Sequence, residues 1–169
     1  AQYYTARGEQ PQELAATAAD IIWKLDMIDE CGVFPHNITS SSVLIAGDLL
    51  WGSTSNGGDY GHVETPAPTA PCLITVNKHT GELVWDNADP GEGILHGTWT
   101  NPTYAVVQGR PMEIFPGGDG WVRAFVPETV YLLWKFDANP KDSEWRLGGR
   151  GTRNNILSTV VVHDDKAYI

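Results

Sequence analysis

The segment SNGGDYGHVETPAPTAP, residues 55–71, carries residue types that can ligate a metal ion. Asp59, His62 and Glu64 lie close together in it, and carboxylates and imidazoles are the groups that bind hard and transition metals respectively. A solvated polar loop is the alternative interpretation, because exposed connections are usually polar and no second ligand cluster is evident. The length of the segment favours a binding role, since long loops in compact domains are frequently functional.

A second group of residues combines aromatic, cationic and amide side chains in two short segments, ILHGTWTNP and GTRNN. Trp and Arg are the side chains most enriched at binding hot spots, and a guanidinium can also hold a carboxylate or a phosphate. For the histidine of this group, a hydrogen bond to loop backbone is the alternative to a role in binding. The candidates are His96, Trp99, Arg153 and Asn154, with Asn37 as a further member.

The sequence contains no local signature of a nucleophilic enzyme. No Ser-His-Asp or Cys-His arrangement has a recognisable motif, and Gly148-Gly149 is not followed by the Lys-Ser/Thr of a P-loop. Cys31 and Cys72 are the only cysteines. Because no other framework pattern accompanies them, we expect two buried or half-buried thiols rather than a disulfide.

Composition excludes two classes of partner and favours short strands. The formal net charge of −10 argues against binding to nucleic acid and to anionic membrane surfaces. No apolar run approaches the roughly 18 residues that a membrane-spanning helix needs. The 7 tryptophans, 18 glycines and 11 prolines suit many short strands joined by tight turns better than a helical bundle.

Three segments repeat one pattern, a tryptophan within a short apolar run that ends at an aspartate. Period-two alternation predicts a strand for each, with the tryptophan on the more apolar face. We expect Trp85 and Trp134 to be largely buried between neighbouring sheets. Trp51 and Trp145 fall outside the pattern and are expected to contribute less to stability. The three segments are 19–27, 74–87 and 123–140.

A strand, a polar turn and a second strand form another recurring element, whose turns are Gly47-Asp48, Gln108-Gly109 and Asp164-Asp165. Joined to the tryptophan pattern, this element gives a four-stranded antiparallel meander as the repeating unit. Meanders that repeat every 40–50 residues or so indicate the blades of a β-propeller.

The repeats divide the chain into a lead-in segment and a partial propeller. Residues 1–18 are the lead-in, with room for one or two helical turns, and residues 19–169 are the propeller. Complete blades are predicted over 41–87 and 96–138, and residues 55–71 are a loop inserted between the second and third strands of the first blade. The remaining segments, 19–27 and 156–169, are expected to belong to incomplete blades.

HTGELVW, which leads into Trp85, resembles the tryptophan-docking motif of the pyrroloquinoline-quinone (PQQ) repeat propellers. The run GGDGWVRAFVPETVYLLWKFD is similar to a half-blade of the same family. The resemblance implies an all-β protein, a β-propeller of four-stranded antiparallel blades present as an incomplete fragment of two full and two partial blades. Asn77 and Val126 stand where the motif prefers aspartate, and Thr129-Val130 replaces Thr-Gly, so we expect the second turn to be less tight.

The same resemblance implies two alternative functions. Quinoprotein dehydrogenases hold PQQ and a metal on the propeller axis with a Glu/Asn/Asp ligand set, and many carry a disulfide between adjacent cysteines. This sequence has no adjacent cysteine pair, and no run aligns with the metal ligands. We therefore expect a non-catalytic binding or scaffolding platform without a cofactor, similar to the outer-membrane assembly factors. The alternative is a periplasmic PQQ-dependent alcohol or sugar dehydrogenase that uses calcium or a lanthanide, with its active site completed by missing blades.

The resemblance also suggests where the candidate residues lie. If the innermost strand of each blade comes first, the segments before those strands lie towards the propeller axis. His96, Trp99, Arg153 and Asn154 would then line the axial mouth, where they could bind a protein or small-molecule ligand. For a quinone, Trp99 would be the aromatic floor and Arg153 the carboxylate clamp. The family further implies a periplasmic or exported protein of the bacterial cell envelope.

Overall fold

The computed structural model describes residues 21–169 and, upstream of them, one pair of short antiparallel strands, β1 (Tyr3–Tyr4) and β2 (Gln12–Glu13). Gln12–Glu13, within the lead-in segment for which one or two helical turns are predicted, is therefore a strand. The rest of that prediction lies outside the described residues. None of the helices in the described part is long and apolar enough to cross a membrane.

The described part of the first tryptophan segment, residues 21–27, is not a strand. Residues 21–26 pair with no sheet of the described structure, and a short helix, α1 (Met27–Cys31), follows them. Asp26 starts this helix because its carboxylate accepts hydrogen bonds from the first backbone N–H groups, so the chain leaves an extended path there. Trp23 still contacts the first blade, where its Nε1 donates to the Lys78 carbonyl at 2.7 Å.

The first complete blade is a four-stranded antiparallel meander in which each strand pairs with the next along the chain. The segment 55–71 lies between its second and third strands, as the sequence predicts. The strands are β3 (Leu44–Ala46), β4 (Leu49–Ser53), β5 (Leu73–Asn77) and β6 (Leu83–Asn87).

The second blade repeats the same topology, and a two-stranded antiparallel sheet follows it. Single 3₁₀ turns at Gly91–Gly93 and Leu147–Gly149 precede the second blade and the last sheet. The architecture is therefore that of β-propeller blades. The strands are β7 (Thr103–Val107), β8 (Arg110–Pro116), β9 (Trp121–Phe125), β10 (Leu132–Asp137), β11 (Val161–His163) and β12 (Lys166–Tyr168).

The hairpin turns have the left-handed backbone that their residue types favour. Gly47 has a φ of 59° at the β3–β4 turn. Both central residues are left-handed at the two other predicted turns, with φ of 50° and 77° at Gln108 and Gly109 and 49° and 58° at Asp164 and Asp165. This is the geometry of type I′ turns, which match the twist of the strands that they join.

One of two hydrophobic core clusters lies between the first two blades, as predicted for the docking tryptophan. Trp85 is 9% exposed, and its Nε1 donates to the Pro127 carbonyl of the second blade at 3.1 Å. Its ring lies 5.8 Å from that of Phe125. The buried members of this cluster come from both blades and from the connection between them, and they are Trp51, Cys72, Leu73, Trp85, Ile94, Phe115 and Phe125.

One tryptophan differs from its predicted burial. Trp134 is only half-buried, although it packs against a buried cluster that includes Met112 and Ile114. Trp51 falls outside the repeat pattern but is only 1% exposed, and its smaller contribution to stability stays a prediction. It stacks on Tyr104 of the second blade at 6.3 Å and is thus a second residue between blades.

The turn before Trp134 is longer than the one before Trp85, as expected. Residues 78–82 join β5 to β6, and residues 126–131 join β9 to β10. The shorter turn needs Gly81, which has a φ of 75° and lies directly against the ring of Trp23, where a Cβ would come within 2.7 Å.

Glu113 is a buried acid in β8. It is fully buried, and neither of its carboxylate oxygens has a hydrogen-bond partner among the described residues. Burial raises the pKa of Glu113 well above its ordinary value, because desolvation penalises the charged form. The folded protein thus binds a proton at this residue more tightly than the unfolded chain does.

This raised pKa gives a testable pH dependence. At a pH below the pKa of glutamate in the unfolded chain, Glu113 is protonated in both the folded and the unfolded state and does not reduce stability. As the pH rises from there towards the higher pKa in the folded state, the free energy of unfolding falls. Relative to the Glu113→Gln variant, the intact protein should lose up to about 1.4 kcal/mol per pH unit over that window. Urea unfolding of both proteins between pH 4 and 8 measures the difference, and parallel pH profiles would contradict the prediction.

Candidate functional site

Three histidines that are distant in sequence converge on one site. His36, His62 and His96 each offer a ring nitrogen, and these nitrogens all lie within 4.8 Å of one another. The ring centroids are 4.9 Å apart for His36 and His62, 5.4 Å for His36 and His96, and 4.7 Å for His62 and His96. We call this group the histidine cluster.

Isolated β-bridges outside the named strands bring the three histidines together. The segment before the first blade pairs with the long loop of that blade through a bridge between Pro35 and Asn56. The same loop pairs with the segment before the second blade through Gly57 and Gly97. In addition, Gly58 N donates to the His96 carbonyl at 2.7 Å. The loop is therefore held between the two segments that carry His36 and His96.

Asn56 fixes the base of the loop. Its side-chain oxygen accepts from Phe34 N at 2.9 Å, and its amide nitrogen donates to the carbonyls of Ala67 and Ala70 at 2.9 and 3.2 Å. Asn56 is fully buried, so these bonds link both ends of the long loop to the segment before His36 without competition from water.

Asp59 organises the tip of the loop that carries His62. Its carboxylate accepts hydrogen bonds from the backbone N–H groups of Gly61, Val63 and Glu64 at 2.9, 2.6 and 2.9 Å. These bonds, with those of Glu64 and Val63 foremost, lower the pKa of Asp59. His62 sits inside this turn with a left-handed φ of 55°. The position of the imidazole thus depends on a carboxylate that the sequence suggested as a ligand.

Close approach of two backbone segments requires glycine at Gly57 and Gly148. A Cβ on Gly57 would lie 2.2 Å from the His96 carbonyl oxygen and 2.8 Å from His36 Cβ. Gly148 has a φ of 78°, and its Cβ would lie 2.8 Å from that of His62. Only residues without a side chain allow the three rings to approach one another in this way.

The protonation of His36 follows from its hydrogen bond. His36 is 2% exposed, and its Nδ1 lies 2.7 Å from the Gly58 carbonyl oxygen. Because a carbonyl only accepts, Nδ1 is the donor of this bond, and Nε2 is the ring nitrogen that faces other partners. Desolvation and the nearby charges of His62 and His36 lower the pKa of His96, against a hydrogen bond with the Gly148 backbone that raises it.

Aromatic side chains surround the histidine cluster. Trp99 donates its Nε1 to the His36 carbonyl at 3.3 Å, and its ring lies 5.8 Å from that of His36 and 6.2 Å from that of His96. Tyr60 lies 6.3 Å from His36 and 5.7 Å from Phe34. The site thus combines three imidazoles with a polar–aromatic border.

Arg153 is committed to an internal ion pair. Its guanidinium donates to the Asp137 carboxylate at 2.6 and 3.3 Å, to Ser143 Oγ at 3.1 Å and to the Asp119 carbonyl at 2.8 Å. Burial would raise the pKa of Asp137, but hydrogen bonds from Arg153 and the Asn139 backbone outweigh it and lower that pKa. The side chain is therefore not free to hold the carboxylate of a ligand.

The other suggested residues divide between the cluster and its surroundings. The backbone of Asn154 is held by the side chain of Asn139, through bonds of 2.8 Å in both directions. Asn37 is exposed with a φ of 63° and lies next to His36. Glu64 is exposed as well. Of the residues that the sequence suggested, the structure brings His62, His96 and Trp99 together around His36.

His36 is the residue that sequence reasoning missed. Its ring is brought to the cluster by pairing between segments whose bonded residues are 21 or more positions apart, and no local motif records that pairing. The one available signal was the position of His36 before the first strand of its blade, which parallels that of His96 before the second.

The comparisons with known proteins support the fold. No protein-family model matches the chain, and no curated protein sequence does either. Among solved structures, a quinohemoprotein alcohol dehydrogenase from Pseudomonas putida matches with 11% sequence identity and a TM-score of 0.51. The match covers 80% of this chain and 17% of that chain. At this identity the likeness shows the fold alone, which is that of β-propeller blades.

Proposed function

We propose that this chain belongs to a non-catalytic β-propeller that serves as a binding or scaffolding platform in the bacterial cell envelope. The observation that carries the proposal is the convergence of His36, His62 and His96 beside Trp99, on the segments that precede the two blades and on the long loop of the first blade. Loops on a rigid scaffold are where binding residues concentrate. A protein or small-molecule ligand would contact the propeller at this histidine cluster.

A PQQ-dependent alcohol or sugar dehydrogenase is the second candidate, and the likeness to a quinohemoprotein dehydrogenase favours it. The described residues fit the quinone poorly. Its carboxylates need free cations, whereas Arg153 is paired with Asp137 and Arg123 with Asp119. Trp99 is held at its edge by the His36 carbonyl and borders two imidazoles. These contacts support the platform over the enzyme.

Titration calorimetry of the intact protein with PQQ, in the presence of calcium or a lanthanide, tests the choice between them. We expect no binding in the micromolar range, and no dye reduction with alcohols or aldoses as substrates. Fractionation of the source cells should place the protein in the envelope fraction. Micromolar or tighter binding of PQQ together with alcohol-dependent bleaching of the dye would make the dehydrogenase the correct assignment.

A further inference from the structure

The spacing of the histidine cluster suits a metal ion. In a tetrahedral zinc site with Zn–N bonds of about 2.0–2.1 Å, two ligand nitrogens are about 3.3 Å apart. The nitrogens of His36, His62 and His96 lie within 4.8 Å of one another, so small side-chain rotations bring all three to bonding distance. Three rings that converge from separate segments to within this range define one point that a cation can occupy.

The hydrogen bond of His36 leaves one of its ring nitrogens available to a metal. His36 donates Nδ1–H to the Gly58 carbonyl, which orients the ring and leaves Nε2 for the ion. A ligand imidazole in a metal site almost always donates its other ring N–H to an outer partner, and His36 has such a partner here.

The donor set selects the class of metal. The group consists of imidazoles alone, and imidazole suits Zn²⁺, Cu²⁺ and Ni²⁺, whereas Ca²⁺ and Mg²⁺ prefer oxygen ligands. Three protein ligands are also one fewer than a closed structural zinc site uses. His62 and His96 are only partly buried, so the remaining coordination position faces accessible space.

We propose that His36, His62 and His96 bind one divalent transition-metal ion, with Zn²⁺ as the representative, and leave one coordination position open to an external donor. The role of this metal site rests on the proposed binding function, because the metal would be the group through which the platform holds its ligand. The two proposals fail separately. Quinone-dependent dye reduction overturns the platform, and failure to bind zinc overturns the metal site.

The direct test uses the intact protein, stripped of metal and without a polyhistidine tag. Calorimetric titration with Zn²⁺ should give one site per chain. Titration with Co²⁺ should produce visible absorption bands of a four-coordinate ion, which Zn²⁺ removes. Addition of azide to the Co²⁺ form should shift these bands, because the open position accepts an external ligand.

The chain offers matched controls for the ligands. His62→Ala removes a partly buried ligand from a loop tip, and we expect it to weaken Zn²⁺ binding about 100-fold or more, beyond the loss caused by an outer-shell change. His79 and His163 are exposed and face Asp48 and Asp164 instead. The variants His79→Ala and His163→Ala should therefore bind Zn²⁺ like the parent protein.

Alanine substitutions at two glycines distinguish displacement of His62 from the effect of backbone strain alone. Gly148 and Gly109 have nearly the same φ, 78° and 77°, but an added Cβ meets His62 at Gly148 and nothing within 4 Å at Gly109. Gly148→Ala should displace His62 and weaken Zn²⁺ binding about 10–100-fold, as the loss of an outer-shell partner does. Gly109→Ala imposes the same strain and should leave the affinity and the Co²⁺ bands unchanged.

Circular dichroism and thermal melts establish that each variant is folded before its affinity is compared. His36→Ala is the variant most at risk, since His36 is buried, and the loop variant His62→Ala keeps the test decisive. The proposal is overturned if the parent protein binds no Zn²⁺ or Co²⁺. It is equally overturned if His62→Ala retains the parental affinity, or if His79→Ala and His163→Ala lose binding to the same extent.

Discussion

Substitution of Trp85 by alanine is expected to lower the free energy of unfolding of the intact protein by about 3–5 kcal/mol. Trp85 is 9% exposed, and its ring packs on Phe125 of the neighbouring blade. The substitution leaves a cavity between two blades and also removes the donor of the Pro127 carbonyl. Because both blades pack on this residue, the loss weakens their association as well as the sheet that carries the tryptophan.

Denaturant unfolding of Trp85→Ala and Trp145→Ala measures this effect against a matched control. Trp145 is 45% exposed, and its Nε1 donates to the Gly93 carbonyl. Trp145→Ala therefore removes a hydrogen bond of the same kind as Trp85→Ala does, but far less buried apolar area. Trp85→Phe should fall between the parent and Trp85→Ala, since it keeps an aromatic ring and loses the N–H. Equal destabilisation by Trp85→Ala and Trp145→Ala would show that the inter-blade packing is not what Trp85 contributes.

Most of the fold was predictable because turn residues and the alternation of apolar residues along each strand are local features of the sequence. Turn residues such as Gln108 and Gly109 adopt the left-handed backbone that marks a two-residue hairpin, and this fixes the pairing of the flanking strands. The position of Trp85 on the more apolar face of its strand predicted that it is buried. Trp51 escaped prediction because it lies in a central strand whose two faces are both covered, so its burial depends on the neighbouring blade and not on its own segment.

The candidate site was predictable only in part, for a physical reason. Sequence analysis singled out His62 and His96 in separate groups, one as a metal ligand and the other as a residue of the axial mouth. Their meeting with His36 depends on the Gly57–Gly97 bridge and on the close approach of Gly148, which no local motif encodes. Arg153 shows the reverse case, because its type suggested a free cation and Asp137 neutralises it.

A second large effect is expected from Asp119→Ala, which should cost about 3–5 kcal/mol of the free energy of unfolding. Asp119 accepts two hydrogen bonds from Arg123, at 3.0 and 2.8 Å, and the two side chains are 9% and 7% exposed. Burial would lower the pKa of Arg123, but its bonds and proximity to Asp119 and Asp89 raise it, so the guanidinium keeps its charge. Without Asp119, the half-exposed Asp89 is the only carboxylate among the described residues that still pairs with that charge.

The cost of Asp119→Ala comes from the charge that it leaves behind, and two further variants establish this. Glu144→Ala breaks the exposed pair with Arg146, at 2.7 Å, and should cost less than about 1 kcal/mol because water replaces the lost partner. The double variant Asp119→Leu with Arg123→Met removes the buried charge together with its partner and should be more stable than Asp119→Ala alone. Chemical denaturation of the parent, of these three variants and of the single variants Asp119→Leu and Arg123→Met decides the question. A double variant that is as unstable as the sum of its single changes would mean that Asp119 acts through the geometry of its turn, where it also accepts a bond from Trp121 N at 3.2 Å.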